Sequence, residues 1–538
     1  MHVRKTAVLI ALFVSLASAA ASATTINFAS LQAKPPDPSL PGALMAGSSY
    51  TQQGFEIASV GAGGFDVWKL GNSNFPGKSP AATSLFEFHA GDETLITHGN
   101  RPFTLNSIDF APLLSGGSGP FTFLVTGVFP DESFITQKVT ISNSPFRLQT
   151  VKFPSFKNVV AVNFIQGTSA GYFQGQETAY QFNNIVVTTT WYVNGVNGND
   201  SNNCLSVQTA CKTIGHAISL ASSGDSIMVA AGTYKEHLTI GTSLNVLGAG
   251  ASTTIVDGGG VATVVSVSAA AHVTLSGLTI RNGSSSTGAG IYNSGSLAVY
   301  NSTVTGNHVS TCGGGIGNNG ALTINNSIIS GNSASANGGG ICQTGGTVTI
   351  NNSTIGSTLL GNSANGSGGG IYNGGTLTIS NATIYGNRAI KGGGGIDNLG
   401  AALINNSTIS QNSAIVGGGI DGPATLQNSI VASNRSGGNC SGTIVSNGYN
   451  LSSDNTCNFN NTGDLYNTDP QLGILGSYGG PTETVPLLPG SPAIDAGNPN
   501  GCTDNLGHPL KTDQRGYLRP DKEDKTGCDM GAYERQGD

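Results

Sequence analysis

The tetrapeptide Gly-Gly-Gly-Ile, or a close variant of it, ends at Ile291, Ile316, Ile341, Ile371, Ile396 and Ile420. The steps are 25, 25, 30, 25 and 24 residues, and the long step holds five extra residues near Gly356 to Leu360. Between these marks a second unit recurs, as SLAVYNSTVTGN, ALTINNSIISGN, TLTISNATIYGN and ALINNSTISQN. A fixed period of this length signals a solenoid, because one repeat cannot bury its apolar face without its neighbours. Each copy carries three short segments with apolar residues at every second place, which is a strand pattern. Gly and Asn between the segments tolerate the positive φ that sharp corners require. The chain from about Trp191 to about Asn460 is therefore expected to form a right-handed parallel β-helix with three strands per coil, most firmly from Gly288 to Asn434.

Asn recurs with the same period. Asn301, Asn326, Asn352, Asn381, Asn406 and Asn428 hold one repeat position, and Asn307, Asn332, Asn362, Asn387, Asn412 and Asn434 hold another. Inward Asn side chains at corners can hydrogen-bond their counterparts above and below, which satisfies amides that are costly to bury alone. The Asn-x-Ser/Thr sequons fall inside this repeat and read as ladder residues rather than glycan sites. Open solenoid ends need covering. The segment Thr213 to Ala221 has helical spacing and is the expected N-terminal cap.

The flanks differ in texture. Arg4 and Lys5, an apolar run from Ala7 to Ala17 and Ala21-Ser22-Ala23 read as an export signal over 1–23. That run is shorter than the roughly 20 residues a membrane span needs, and no later stretch is apolar enough. Residues 24–188 show short alternating runs at Phe103–Phe110, Phe121–Phe129, Gln137–Ile141, Val159–Phe164 and Tyr180–Val187, separated by Gly, Pro and Ser. They predict an antiparallel β-sandwich ahead of the solenoid, so the chain is all-β. Residues 461–538 concentrate motif-like pieces with Asp and Arg, expected to pair in the interior and lock the last coil as a cap. Eight Cys in an exported chain favour disulfides. Local spacing suggests Cys204–Cys211, Cys440–Cys457 and Cys502–Cys528, with Cys312 and Cys342 left as a fourth pair.

Four resemblances follow from these pieces. Residues 191–460 resemble the secreted right-handed β-helix superfamily. Gly-Gly-Gly-Ile-x-Asn with a following Ile-x-x-Asn is similar to the repeats of polymorphic outer-membrane proteins, with Ile, Val or Leu mostly at their Phe position. The tail resembles the bacterial choice-of-anchor Q domain through PLLPGSPAIDAGN, DQRG, Arg519-Pro520 and DMGAYE, in that order. Asn27-Phe28, Gly54-Phe55, Leu105 to Phe110, Val125-Thr126-Gly127 and Phe182 to Val187 resemble the sandwich domains of PEP-CTERM-type exported proteins. Together these resemblances imply a bacterial secreted or surface protein. No LPxTG motif, PEP motif or autotransporter barrel follows Glu534.

Net charge is −7 and only 9% of residues are charged, which argues against nucleic acid as a partner. From Gly258 to Ile430 the only acidic residues are Asp397 and Asp421, each directly after the Ile of a glycine unit in adjacent coils. In register they would stack about 4.8 Å apart on one face. Arg388 and Lys391 precede Asp397, and Arg435 repeats the position of Arg388. Close carboxylates raise one pKa or bind a cation, so Asp397 and Asp421 with Arg388 and Lys391 are the candidate catalytic set. The same two Asp are the candidate Ca²⁺ ligands, although no cofactor is required. Tyr292 and Tyr372 hold the equivalent position in other coils and, with Arg435, are candidate sugar-binding residues. The competing reading makes all of these ordinary outward residues with cations nearby for charge balance. The scarcity of carboxylates favours a non-catalytic adhesin or glycan-binding protein, which is expected to be a monomer. The alternative is a polysaccharide lyase or glycoside hydrolase acting on an acidic glycan, resembling pectate lyases.

Overall fold

The computed structural model describes residues 23–28, 44–47, 49–52, 55–60, 65–68, 84–87, 93–99, 101–112, 120–142, 148–165, 180–522 and 527–537. The leader expected over 1–23 lies outside them except for its last residue.

Two antiparallel sheets come first. One orders Gln149–Lys152, Thr104–Pro112, Tyr180–Thr188, Ser84–Glu87, Phe65–Trp68 and Leu44–Gly47, with Thr24–Ile26 added onto Tyr180–Thr188. The other orders Phe134–Ile141, Phe121–Val128, Ala161–Ile165, Glu93–Thr97, Phe55–Val60 and Ser49–Gln52. All five expected runs are strands, with ends moved by up to three residues. The frequent Phe residues have one cause: the described core includes Phe28, Phe55, Phe103, Phe110, Phe164 and Phe182. Their rings meet edge to face, as Phe110–Phe123 at 4.9 Å and Phe164–Phe182 at 5.1 Å do, the arrangement that the ring quadrupole favours.

The parallel β-helix begins at Thr190–Val193, which pairs in parallel with Ser226–Val229. Its first face stacks eleven strands and ends at Ile444–Ser446. The second face stacks ten and the third nine. The central coils also carry a short fourth face of five strands, from Ser284–Thr287 to Arg388–Ala389. Most of these strands have two residues, too few to show alternation, so the repeat read as three strands per coil. Inward Ile, Leu and Val form one continuous core from Trp191 to Phe459.

The glycine unit follows from close packing. Gly368 has φ +68°, a conformation that L side chains avoid. A Cβ on Gly370 would lie 2.6 Å from the Gly395 carbonyl oxygen and 3.1 Å from Asn387. Consecutive coils thus touch backbone to backbone here, against the inward Asn column.

That column is the expected ladder. Nδ2 of Asn307 donates to Oδ1 of Asn332 at 2.9 Å, and the pattern continues through Asn362, Asn387, Asn412 and Asn434 at 2.9–3.1 Å. The other expected column ladders only in part, where Nδ2 of Asn381 donates to Oδ1 of Asn352 at 2.7 Å and that of Asn428 to Oδ1 of Asn406 at 2.9 Å. Asn301, Asn326, Asn352, Asn381, Asn406 and Asn428 all have φ between 47° and 57°. They are left-handed corner residues, and the upstream ones remain half-exposed rather than inward. A further buried ladder joins Asn293 to Asn318 at 2.7 Å and Asn373 to Asn398 at 2.5 Å, with Gln343 between them in register. The Ile-x-Asn spacing after four of the six glycine units, with Gln343 replacing Asn in a fifth, is its signature in the sequence.

The N-terminal end carries the helix Ile214–Leu220, capped by the Thr213 hydroxyl, which accepts from the His216 N–H. Carboxylates complete the cap. Asp200 accepts from the N–H groups of Lys212 and Thr213, and Glu236 from those of Ile214 and Gly215. At the other end Leu451 bridges Leu465, and Cys457 and Phe459 join the core. All eight Cys pair, as Cys204–Cys211, Cys312–Cys342, Cys440–Cys457 and Cys502–Cys528. No helix among the described residues is long and apolar enough to cross a membrane.

The tail does more than lock the last coil. It turns back along the second face as a strap. Gln514 accepts from the Thr383 hydroxyl at 2.6 Å and donates to that of Thr354 at 3.0 Å, while the Ala532 N–H reaches the Thr408 hydroxyl at 3.1 Å. Asp513 pairs with Arg515 and Arg519 with Glu534, each at 2.7 Å and with side chains at most 5% exposed. Arg519 also donates to Oδ1 of Asn381 at 3.1 Å, so the ion pair is fastened to the coils.

Where the sandwich meets the first coil, a cavity of about 120 Å³ is lined in part by Phe55, His98, Arg101, Trp191 and Asp225. Asp225 accepts from the Thr189 N–H and the Trp191 indole N–H, tying the linker to the first turn. His98 stacks on Phe55 with centroids 4.0 Å apart. Burial, reinforced by the Arg101 charge, holds its pKa down at about 4 from the ordinary 6.5. The unfolded chain therefore takes up this proton first. The stability contributed by neutral His98 is full above pH 6.5 and is lost as pH falls toward 4. The drop in unfolding midpoint between pH 7 and pH 4.5 should be smaller in His98→Phe than in the wild type. Equal drops would contradict this account of the junction.

Candidate functional site

The strand pairing sets the outward residues of the third face in one column: Tyr292, Gly317, Cys342, Tyr372, Asp397 and Asp421. Asp397 and Asp421 are direct ladder partners, about 4.8 Å apart in backbone. Tyr292 and Tyr372 are three coil steps apart, roughly 14 Å. Cys342 bonds to Cys312 of the preceding coil, which staples the column to the fourth-face edge. Both Tyr rings are half-buried, and the Tyr292 hydroxyl accepts from Asn319 at 3.1 Å.

The two carboxylates have different surroundings. Asp397 is 6% exposed. Burial pushes its carboxyl above the ordinary range; the Ser367 hydroxyl opposes this and the Asp421 charge adds to it. Asp421 is half-buried and lies against Gly392, where a Cβ would collide with Oδ2 of Asp421. Ser367, one coil before Asp397, belongs to this group of residues. Ser367 stands at the corner just before its glycine unit, in register with Gly392 one coil on.

Arg388 and Lys391 lie on the fourth-face edge and are exposed. Among the described residues no ion pair joins either of them to Asp397 or Asp421. Arg435 is also exposed and donates to Oε1 of Gln411 at 3.0 Å. The coils thus bring the carboxylates together without pairing them to the cations, and Arg435 turns toward Gln411 and Tyr385 at the second-face corner. On the same edge Nδ1 of His308 lies 2.9 Å from the Ser333 hydroxyl, a contact between residues 25 apart that no motif announces.

Chemically, two stacked carboxylates of unequal environment can share a proton or hold a cation. As a metal site, Asp397, Asp421 and the Ser367 hydroxyl fall short of the roughly six to eight oxygens that Ca²⁺ takes. Water or a sugar would have to supply the rest.

Neither a protein-family model nor a curated protein matches the chain. Some solved structures do. Pectin methylesterase PemA from Erwinia chrysanthemi is 13% identical, covering 47% of this chain and 80% of that one with a TM-score of 0.23. The catalytic unit of a thermostable GH87 alpha-1,3-glucanase from Streptomyces thermodiastaticus is 11% identical, covering 74% and 96% with a TM-score of 0.22. A GH136 lacto-N-biosidase from Eubacterium ramulus is 9% identical, covering 49% and 68% with a TM-score of 0.24. Likeness at this level is no basis for assigning an activity. The fold and the site define a class: a parallel β-helix protein with antiparallel sheets before it and a strapped flank.

Proposed function

We propose that the chain is a secreted or cell-surface protein that binds a polysaccharide or cell-surface glycan without cleaving it. The third-face column carries this reading, because two Tyr rings and a carboxylate pair lie on one line along the coils. Exposed Arg388 and Lys391 on the neighbouring fourth-face edge suit a glycan with acidic groups. Four disulfides fit an oxidising compartment outside the cell. The choice-of-anchor Q-like tail acts here as a strap over the second face, away from the binding column, and the protein works as a monomer. Replacing both Tyr292 and Tyr372 with Ala should weaken retention on a bound glycan by roughly tenfold, about 1.4 kcal/mol. Co-sedimentation with a panel of neutral and acidic polysaccharides reads this directly. Equal retention of the double variant and the wild type would remove the column from the binding surface.

A second reading rests on one observation. Asp397 and Asp421 are ladder partners one coil step apart in backbone, their charges interact, and Asp397 is the one whose pKa is raised, as a carboxylate pair in a glycosidase would require. Under this reading Asp397 is the acid and Asp421 the nucleophile.

A further inference from the structure

We infer that removal of residues 1–23 completes a binding site at the junction of the sandwich and the first coil, in which the new α-ammonium group of Thr24 pairs with the buried carboxylate of Asp225. The inference rests on the export reading of the leader and is independent of the glycan reading.

Asp225 has the chemistry of an ammonium site. It is 3% exposed. Its Oδ1 accepts from the Thr189 N–H at 2.7 Å, and its Oδ2 from the Ser222 N–H and the Trp191 indole N–H, each at 2.9 Å. A carboxylate offers about four lone-pair positions, so it can take one donor more. Among the described residues no Lys, Arg or His forms an ion pair with it. Burial pushes its carboxyl above the ordinary range, and the three N–H donors pull the other way. A buried carboxylate with no countercharge is costly, and a cation brought to it relieves that cost.

The chain places its own cation there. Ala21-Ser22-Ala23 marks the bond between Ala23 and Thr24 as the one to be cut. Thr24 lines the same cavity of about 120 Å³ as Asp225. It opens the strand Thr24–Ile26 and pairs there with Val187. Its hydroxyl donates to the Ser223 carbonyl at 3.1 Å. On the other side of the bond, Ala23 packs so closely on Gly224 that a Cβ on that glycine would lie 2.2 Å from the Ala23 Cα. The bond is thus held against Ser223 and Gly224, directly before Asp225 in the chain. The strand pairing and the hydroxyl contact involve none of residues 1–23, so the cut leaves both in place.

The chemistry balances simply. An export peptidase adds water across the Ala23–Thr24 bond. The leader departs with the carboxylate, and the Thr24 amine takes up a proton, because its ordinary pKa is about 8. The cut is made during export, before this packing forms. Departure of Ala23 then clears the space above Gly224. The other titratable groups at the cavity are His98, neutral at pH 7, and Arg101, which is exposed. The α-ammonium therefore meets one buried opposite charge, and the pair fastens the sandwich strand to the first coil only in the processed chain.

The test uses the full secreted chain, a form that keeps Ala23 behind an engineered upstream cleavage site, and Asp225→Asn. Mass spectrometry of the secreted chain should place its N-terminus at Thr24. At pH 7 an amine-acylating reagent should modify the α-amine of the wild type at least tenfold more slowly than that of Asp225→Asn. The pH at which the wild-type amine becomes reactive should lie above the ordinary value of about 8. Asp225→Asn keeps the shape of the site, so shielding by burial alone would slow both proteins equally. If Asp225→Asn does not fold, the Ala23-retaining form takes its place. Its α-amine starts one residue further out, and it should react at the ordinary pH and unfold at a lower temperature than the chain beginning at Thr24. An N-terminus elsewhere than Thr24, or an α-amine that reacts alike in the wild type and the comparison form, would overturn the inference. Neither result touches glycan retention, so the binding reading is tested separately.

Discussion

Replacing Arg519 with Ala should destabilise the C-terminal strap by about 3–5 kcal/mol, the cost of leaving a buried charge without its partner. Both side chains of the Arg519–Glu534 pair are fully buried. Arg519 also donates to the Gly531 carbonyl at 2.8 Å and to Asn381. The loss therefore removes the ion pair, a turn contact and a tie to the coils at once. Glu534→Ala should behave alike, because it strands Arg519 and frees the Asp529 N–H. Hydrogen exchange over residues 511–534 and the urea midpoint check this. A change below 1 kcal/mol in both variants would mean that the strap is held by its apolar contacts.

Asn387→Ala should cost about 3 kcal/mol. Its Oδ1 accepts from both the N–H and the Nδ2 of Asn362, and its Nδ2 donates to the Ile355 carbonyl and to Asn412. Truncation leaves buried donors and acceptors in the coils on either side, at about 1–3 kcal/mol for each group left unmade. Asn301→Ala makes the contrast. Asn301 is a half-exposed left-handed corner, and Ala there meets only the backbone penalty of roughly 1 kcal/mol. Denaturant unfolding of the two variants should separate them by about 2 kcal/mol. Equal losses would mean that the buried ladder contributes nothing beyond its corner geometry.

Much of this architecture is legible in the residues. The glycine-unit period gives the coil length, alternation gives the three long faces, and the inward Asn307-to-Asn434 column follows from its spacing. The four Cys pairings, too, match the local spacing and its remainder. Three features were not legible, for separate reasons. Two-residue strands such as Ser333–Ala334 show no alternation, so the fourth face is invisible to periodicity. The two Asn columns look alike in sequence, but φ differs, and only one points inward. The strap's contacts join residues more than 120 apart, such as Thr354 and Gln514, where no local pattern reaches. The stacking of Asp397 on Asp421 was readable from the glycine period. The burial of Asp397 and the part played by Ser367 depend on how the corner folds.

The measurement that bears most directly on the central claim is a long incubation of the purified chain with the glycan it retains. Release of new reducing or unsaturated ends is followed by mass spectrometry, beside Asp397→Asn and Asp421→Asn. A non-catalytic binding protein predicts retention with no new ends from any of the three proteins. Ends released by the wild type and abolished in both variants would contradict that account and make the acidic pair a glycosidase or lyase centre.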